Sequence, residues 1–289
     1  MPDTTATRRL FILGNPDKTG VQTAADDIRS YAESQCQVVG TAMGLDGRVA
    51  IDAGADLIAV IGGDGTLLAV SRSLGKDQIP LAGVNFGKLG FLAEFTIDEF
   101  KTSLPELLRD DAYVSDRMIL HLRVTRDDTC CFEGVAINDC VIQAGRPFRV
   151  IQLEVRINTM PLTTIGGDGL IVCTPVGSTA HNLSAGGPIM QGGVSGIALT
   201  PLCPHSLTHR PLVVEDEVEI EITVQQSNPG TTVMVDGQEG QLLEPGDRVA
   251  IKRFDADFRL VRNPAYPKWH GLVTKLRWGQ RPSFGDSRG

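Results

Sequence analysis

The chain has 289 residues, 42% of them hydrophobic and 21% charged, which is the composition of an ordinary globular protein with room for one large domain or two smaller ones. Its 32 glycines gather in loops instead of repeating at a short period, which excludes collagen-like and low-complexity readings. A formal net charge of −8 argues against long nucleic acid and anionic lipid as partners, since both recruit basic surfaces, but leaves room for small phosphorylated ligands held by backbone N–H groups and one or two cations.

Met1 to Arg9 is polar, and no run of 18 apolar residues occurs. Neither a signal peptide nor a membrane span is expected, and the cytoplasm is the expected location. Leu10 to Leu13 reads as a short strand ending at the turn Gly14-Asn15-Pro16. Val21, Ala24, Ala25, Ile28, Tyr31 and Ala32 recur at helical spacing. Gln37 to Val39 predicts a second strand, and Leu57 to Ile61 a third, buried on both faces as in a parallel sheet. Gly62 to Gly65 form a tight loop, and Thr66 to Val70 open a helix. A strand over Ile79 to Asn85 and a helix over Ile97 to Leu108, before Asp110-Asp111, complete an alternation that implies an open, doubly wound sheet.

The pattern changes near Tyr113. Strands are predicted over Ile119 to Val124, Cys131 to Ile142, Val150 to Ile157, Gly169 to Cys173, Val218 to Val224, Thr232 to Val235, Arg248 to Phe254 and Phe258 to Val261. Their number and spacing predict an antiparallel sandwich or closed sheet. The expected organisation is an α/β domain over 1–112 with a parallel doubly wound sheet, and a β-rich domain over 113–289. The C-terminal tail either returns to the first domain or, from Arg281, frays. The six cysteines show no C-x-x-C pair, no His pair has zinc-ligand spacing, and buried or half-buried thiols in a reducing compartment are expected. No protein-held metal site is predicted.

Three segments carry the chemistry. Gly62-Gly63-Asp64-Gly65-Thr66 follows a buried strand and opens a helix, where an α/β sheet binds its ligand. The glycines let the backbone approach phosphate, and the helix N-terminus favours negative charge. A carboxylate in such a loop repels phosphate, so Asp64 must do something other than bind it: take a proton, hold a metal ion, or hold a hydroxyl. A plain turn with Asp as helix cap is the ordinary alternative. The spacing is neither a Walker loop nor a G-x-G-x-x-G fingerprint. The run from Gly167-Asp168-Gly169 to Gly186-Gly187-Pro188 offers hydroxyls and free N–H groups with little bulk, suited to ribose and amide groups. Asn138-Asp139 interrupts a predicted strand, which marks a bulge or a functional pair.

In this order and spacing, these segments resemble the NAD kinase family over about Leu10 to Trp278. Asn85 with Leu89-Gly90-Phe91-Leu92, Thr200 to Leu207, and Asp236-Gly237-Gln238 belong to the same resemblance. The long glycine-rich segment is specific; the first loop also resembles those of diacylglycerol kinases, sphingosine kinases and phosphofructokinases. The resemblance implies phosphorylation of NAD by ATP at the 2′-hydroxyl of the adenosine ribose, with Asp64 as the general base and Gly65 against the same nucleotide. It implies that Asn138 and Asp139 bind ribose and adenine, and that Arg149 lies near the new 2′-phosphate. Asp168, with Thr179, Ala180, His181, Asn182, Leu183 and Ser184, would serve the nicotinamide half and a neighbouring subunit's adenine, and Gln238 would add a contact. It further implies an active site between the two domains, a divalent metal ion, Mg²⁺, accompanying ATP, and a homodimer or homotetramer. The chain departs from the family at Asp139, where Glu is usual, at His181 for the common Tyr, and at Cys173 and Val176 for Ser and Thr. Two other readings share the first loop or the pocket: a lipid or sphingoid-base kinase, and an inactive dinucleotide-binding sensor.

Overall fold

The computed structural model describes residues 8–87, 90–109, 111–267 and 269–279; Leu89, Asp110 and the tail from Arg281 lie outside the described residues. The chain opens with β1 (Leu10–Gly14), α1 (Val21–Ala32), β2 (Val38–Met43), α2 (Arg48–Asp52), β3 (Leu57–Gly62), α3 (Asp64–Leu74), β4 (Leu81–Asn85), α4 (Ile97–Leu107) and β5 (Val114–Arg117). Four of these strands pair in parallel in the order β2-β1-β3-β4. Every residue of β1 and β3 is buried, because helices cover both faces of the sheet. On one face α1 buries Val21, Ala24, Ala25 and Ile28 beside Phe100 and Leu104 of α4. On the other, Ala50 of α2 packs with Leu67, Val70 and Leu74 of α3. Thr96 and Glu99 form a reciprocal capping box that starts α4.

The strand order reverses direction between β1 and β3. The loops leaving these two strands therefore diverge over the carboxyl edge of the sheet and open a crevice there. Asn15 and the Gly62 to Gly65 loop stand at this point.

The rest of the chain is β6 (Leu120–Arg126), β7 (Thr129–Ala136), β8 (Asp139–Gln143), β9 (Ile151–Ile157), β10 (Met160–Gly167), β11 (Gly169–Cys173), α5 (His181–Ser184), β12 (Ile197–Leu202), β13 (Leu212–Val214), β14 (Ile220–Gln226), β15 (Thr232–Val235), β16 (Glu239–Leu242), β17 (Arg248–Arg253), β18 (Phe258–Val261) and α6 (His270–Lys275). These form two antiparallel sheets, β10-β9-β14-β17-β6-β7 and β13-β12-β11-β8-β15-β16. Alternate residues such as Leu120, Leu122 and Val124 from the first meet Cys140, Ile142, Leu170 and Val172 from the second in one core. The predicted α/β domain with a parallel sheet, followed by a β-rich domain, is the observed architecture.

Strand β11 is buried on both faces. Leu170 and Val172 face the sandwich, whereas Ile171 and Cys173 join Val141, Met190 and Ala198 in a smaller outer cluster. The glycine-rich segment after β11 thus folds back over its own sheet, where it is fixed by packing.

The structure corrects three expectations. The single strand predicted over Cys131 to Ile142 is two strands in different sheets, because the chain crosses at Ile137-Asn138. Phe258 to Val261 is a strand, as expected, but it pairs in parallel with β4 and antiparallel with β5, so the end of the chain completes the first sheet. Cys140 and Cys173 are buried and Cys36 is half-buried, but Cys130, Cys131 and Cys203 are exposed.

Candidate active site

Asp64 is the first residue of α3, at the positive end of the helix dipole. Its Oδ2 accepts the backbone N–H of Phe91 at 2.7 Å, and its Oδ1 accepts those of Leu92 at 3.1 Å and Ala93 at 3.0 Å. The residues after β4 thus wrap the carboxylate with three amides. This approach requires a bare backbone at Gly90, where a Cβ would come 1.9 Å from Asp64 Oδ1. Asn15 Nδ2 donates to Thr66 Oγ1 at 2.9 Å, tying the loop after β1 to the loop after β3. Lys18 Nζ donates to the Phe86 carbonyl at 3.2 Å and lies over Gly63, placing a cation at the glycine loop.

A second group of residues is locked to α3 from the β-rich domain. Arg72 pairs with Asp236 at 3.0 Å, its side chain 9% exposed and that of Asp236 fully buried. Asp236 also accepts the N–H groups of Ile137, Asn138 and Asp139, at 3.1, 2.7 and 3.2 Å. Gln238 accepts from Arg72 at 2.6 Å and donates to the Gly65 carbonyl at 3.3 Å. One buried ion pair therefore brings Gly65, Asn138, Asp139 and Gln238 together and explains why the strand breaks at Asn138. Asp139 is buried, and its carboxyl is pushed up to about 7, first by desolvation and then by the charge of Asp236.

The turn after β11 joins the same neighbourhood. The N–H of Thr174 donates to the Asn138 carbonyl at 2.9 Å, and its hydroxyl to the Ile137 carbonyl at 2.6 Å. Thr179 is half-buried, Leu183 likewise, and Ala180, His181 and Ser184 are exposed at the surface of this turn. Asn182 differs from them. It is fully buried, and its amide bonds the carbonyls of Ser178 and Pro188 and the hydroxyl of Thr200, so it braces the loop from within.

Arg149 and Asp168 are not brought to this centre. Both are exposed beyond the far end of the pairing between β8 and β11, where Gln143 faces Gly169. Asp139 and Cys173 pair at the near end, and four residue steps of ~3.4 Å put the two ends roughly 14 Å apart. Cys203 bonds the Asp168 carboxylate, which raises the pKa of the thiol.

Beside the Asp64 loop lies a cavity of about 720 Å³. Phe91, Leu92, Val176 and Thr179 form one side, and Trp269, Leu272 and Trp278 from the C-terminal segment form the other. From α6, the Lys275 ammonium stands 5.1 Å from the centre of the Phe91 ring. Burial lowers the pKa of Lys275, against the opposing pull of Asp64 and Glu94. A second cavity of about 710 Å³ includes Arg72, Gln238, His121, Glu133 and Phe254. Among the described residues, no group of three or more His, Cys, Asp or Glu side chains is placed to hold a metal ion.

Sequence reading did not find Lys18, Arg72 or Lys275. Arg72 was open to detection as the basic residue two turns along α3 from Asp64; nothing local marks Lys18 or Lys275.

A carboxylate at a helix N-terminus, set at the switch point of a doubly wound sheet and roofed by antiparallel sheets, places the site where open α/β proteins bind nucleotides. Residues 13–113 match the ATP-NAD kinase N-terminal domain, and residues 137–263 the ATP-NAD kinase C-terminal domain. The NAD kinase of Syntrophotalea carbinolica is 43% identical over 245 residues, covering 85% of this chain and 86% of that protein. That of Rhodopirellula baltica is 36% identical over 273 residues, covering 94% and 88%. The chain belongs to the ATP-NAD kinase family. The fold is shared with yeast NADH kinase complexed with NADH, at a TM-score of 0.82 and 22% identity, covering 97% of this chain and 90% of that one. It is also shared with an NAD kinase from Archaeoglobus fulgidus in complex with ATP, at 0.74 and 22%, covering 93% and 98%. No helix among the described residues is long and apolar enough to cross a membrane.

Proposed function

We propose that the chain is an NAD kinase, transferring the terminal phosphoryl group of ATP to the 2′-hydroxyl of the adenosine ribose of NAD, with Asp64 as the base. The observation that carries this reading is the unused capacity of the Asp64 carboxylate. A carboxylate offers about four acceptor positions. Three are filled by the amides of Phe91, Leu92 and Ala93, two of them on Oδ1, which leaves one on Oδ2. A single hydroxyl fits there, with the carboxylate already oriented.

As the ribose oxygen bonds to the terminal phosphorus, its proton passes to Oδ2. The bond from that phosphorus to the bridging oxygen breaks, and its electron pair leaves with ADP. Proton removal by a positioned group contributes about 10²–10⁴-fold. The remainder is alignment and charge neutralisation, to which the Gly62 to Gly65 backbone and Lys18 contribute. Mg²⁺ enters as part of the triphosphate substrate, held largely by phosphate oxygens and water.

Gly65, Asn138, Asp139 and Gln238 form the adenosine side of the acceptor site, and Thr179 to Ser184 its continuation, with Asn182 acting as a brace. Arg149 and Asp168, at the far end of the sheet, reach the dinucleotide held by a neighbouring copy in a homodimer or homotetramer in the cytoplasm.

Purified protein incubated with NAD, ATP and Mg²⁺ is expected to yield NADP. Dinucleotide binding without NADP would make the chain a sensor, and phosphorylation of a sphingoid base or diacylglycerol instead would make it a lipid kinase.

A further inference from the structure

Asp139 and Asp236 are two buried carboxyl groups, close together and very differently provided for. Asp236 Oδ2 accepts from Arg72 and from the N–H of Ile137, and Oδ1 accepts the N–H groups of Asn138 and Asp139. These donors fill the roughly four acceptor positions of a carboxylate. Asp139 is 5% exposed, and its carboxyl receives no hydrogen bond and no cation from any described residue. Arg72 gives its Nη groups to Asp236, Gln238 and Glu239, and none to Asp139. Neither Asp139 oxygen is sealed from solvent, so the unpartnered carboxyl is reachable from outside.

When two carboxyl groups share a buried neighbourhood and one holds every donor, the other keeps its proton. Desolvation and the Asp236 charge accordingly hold the Asp139 carboxyl up to about 7. The other titratable groups packed against it leave this unchanged. Cys173 stands opposite Asp139 on β11, with its thiol pushed up to about 12, and Cys140, next along β8, is raised well above its usual value. Both remain neutral thiols. A neutral carboxyl carries a donor and an acceptor side by side, the pattern with which an Asn or Gln amide grips adenine. A carboxylate offers acceptors only and repels the lone pair of a ring nitrogen.

We propose that Asp139 reads the adenine of NAD as a neutral acid, giving its O–H to a ring nitrogen and accepting from the exocyclic amine. The proposal rests on the NAD kinase reading and deepens it, because it makes a proton on Asp139 a condition of acceptor binding. Below about 7 that proton is in place and the Kd for NAD is flat. Above it, each pH unit reduces the competent fraction about tenfold, and the Kd rises in step.

NAD titrated calorimetrically from about pH 6 to about pH 9, in buffers of different ionisation enthalpy, reads affinity and proton uptake together. Wild type is expected to hold its Kd up to about 7, to lose about tenfold per unit above, and to take up close to one proton per NAD at about pH 8. Asp139→Asn carries donor and acceptor permanently. It is expected to take up no proton and to bind NAD more tightly than wild type at the alkaline end. Asp139→Leu, which has neither group, is expected to bind weakly at every pH. A wild-type Kd independent of pH would overturn the proposal. So would a rise that Asp139→Asn retains, which would belong to another group such as the exposed His181. A wild-type protein that binds no NAD at any pH would overturn the NAD kinase reading, and this proposal with it.

Discussion

Replacing Asp64, the proposed base, by Asn removes its charge and also disturbs a loop, and the structure allows the two effects to be sized. The Asn carbonyl can keep the amides of Leu92 and Ala93, which both bond Oδ1. Its Nδ2 then faces the Phe91 N–H across 2.7 Å, donor against donor. Losing that charge-assisted bond costs about 1.5–3 kcal/mol. The chemical loss is larger: without a proton acceptor, kcat falls by about 10²–10⁴-fold, or roughly 3–5 kcal/mol of barrier. NADP production can be followed with an NADP-specific dehydrogenase, NAD affinity by calorimetry, and stability by urea unfolding. The expected pattern is a kcat collapse, an NAD affinity within severalfold of wild type, and a stability loss of about 2 kcal/mol. Formate, added to Asp64→Ala, should restore part of the turnover by supplying a small carboxylate in the vacated space. If kcat for Asp64→Asn stayed within tenfold of wild type, the assignment of Asp64 as base would be wrong.

Gly90→Ala pushes a methyl group to within 1.9 Å of Asp64 Oδ1 and should displace the carboxylate, lowering kcat by at least about 10²-fold while Asp64 itself is intact; unchanged kinetics would show that the wrapped geometry is dispensable. Arg72→Met leaves the fully buried Asp236 without its cation and is expected to cost about 3–5 kcal/mol in urea unfolding, whereas a loss below about 1 kcal/mol would mean that the three amides on Asp236 suffice. Asp139→Asn tests the raised carboxyl. Folded Asp139 stays protonated up to about 7 while the unfolded chain ionises near 3.8, so its contribution disfavours the folded state increasingly from about pH 4 to 7 and levels off above. The shift corresponds to roughly 4 kcal/mol at most, so the Asn variant should gain stability over wild type across that window and show little difference below it. An offset independent of pH would refute this.

The first domain was legible because its elements announce themselves locally. Leu57 to Ile61 is an unbroken apolar run, and Val21 to Ala32 keeps one apolar stripe, so each specifies its element without reference to distant residues. Asp64 and Gly65 were legible for the same reason, since strand, glycine loop and helix are contiguous. What distance in sequence hides is pairing. Nothing in Cys131 to Ile142 announces that the chain changes sheets, because the break is enforced by Asp236, about a hundred residues later. Short or alternating strands such as β5, β10 and β16 carry too few apolar residues to stand out from turns. The same holds for the site. Asn182 reads as one more polar residue in a ligand loop, and only its burial and three partners reveal a brace. Lys275 sits in a six-residue helix with no buried position, and gains meaning only from the Phe91 ring beneath it.

The placement of β18 between β4 and β5 has a consequence for synthesis. The edge of β4 stays open until a segment more than 170 residues further along has been made, so the first half of the nascent chain leaves the ribosome with an unfinished sheet and an unpaired strand. Release from the ribosome before Val261 would leave that edge free to recruit other chains, and a gene split near residue 112 would yield an amino-terminal fragment prone to precipitate. In this protein the first sheet is finished only when Phe258–Val261 comes back to lie beside β4.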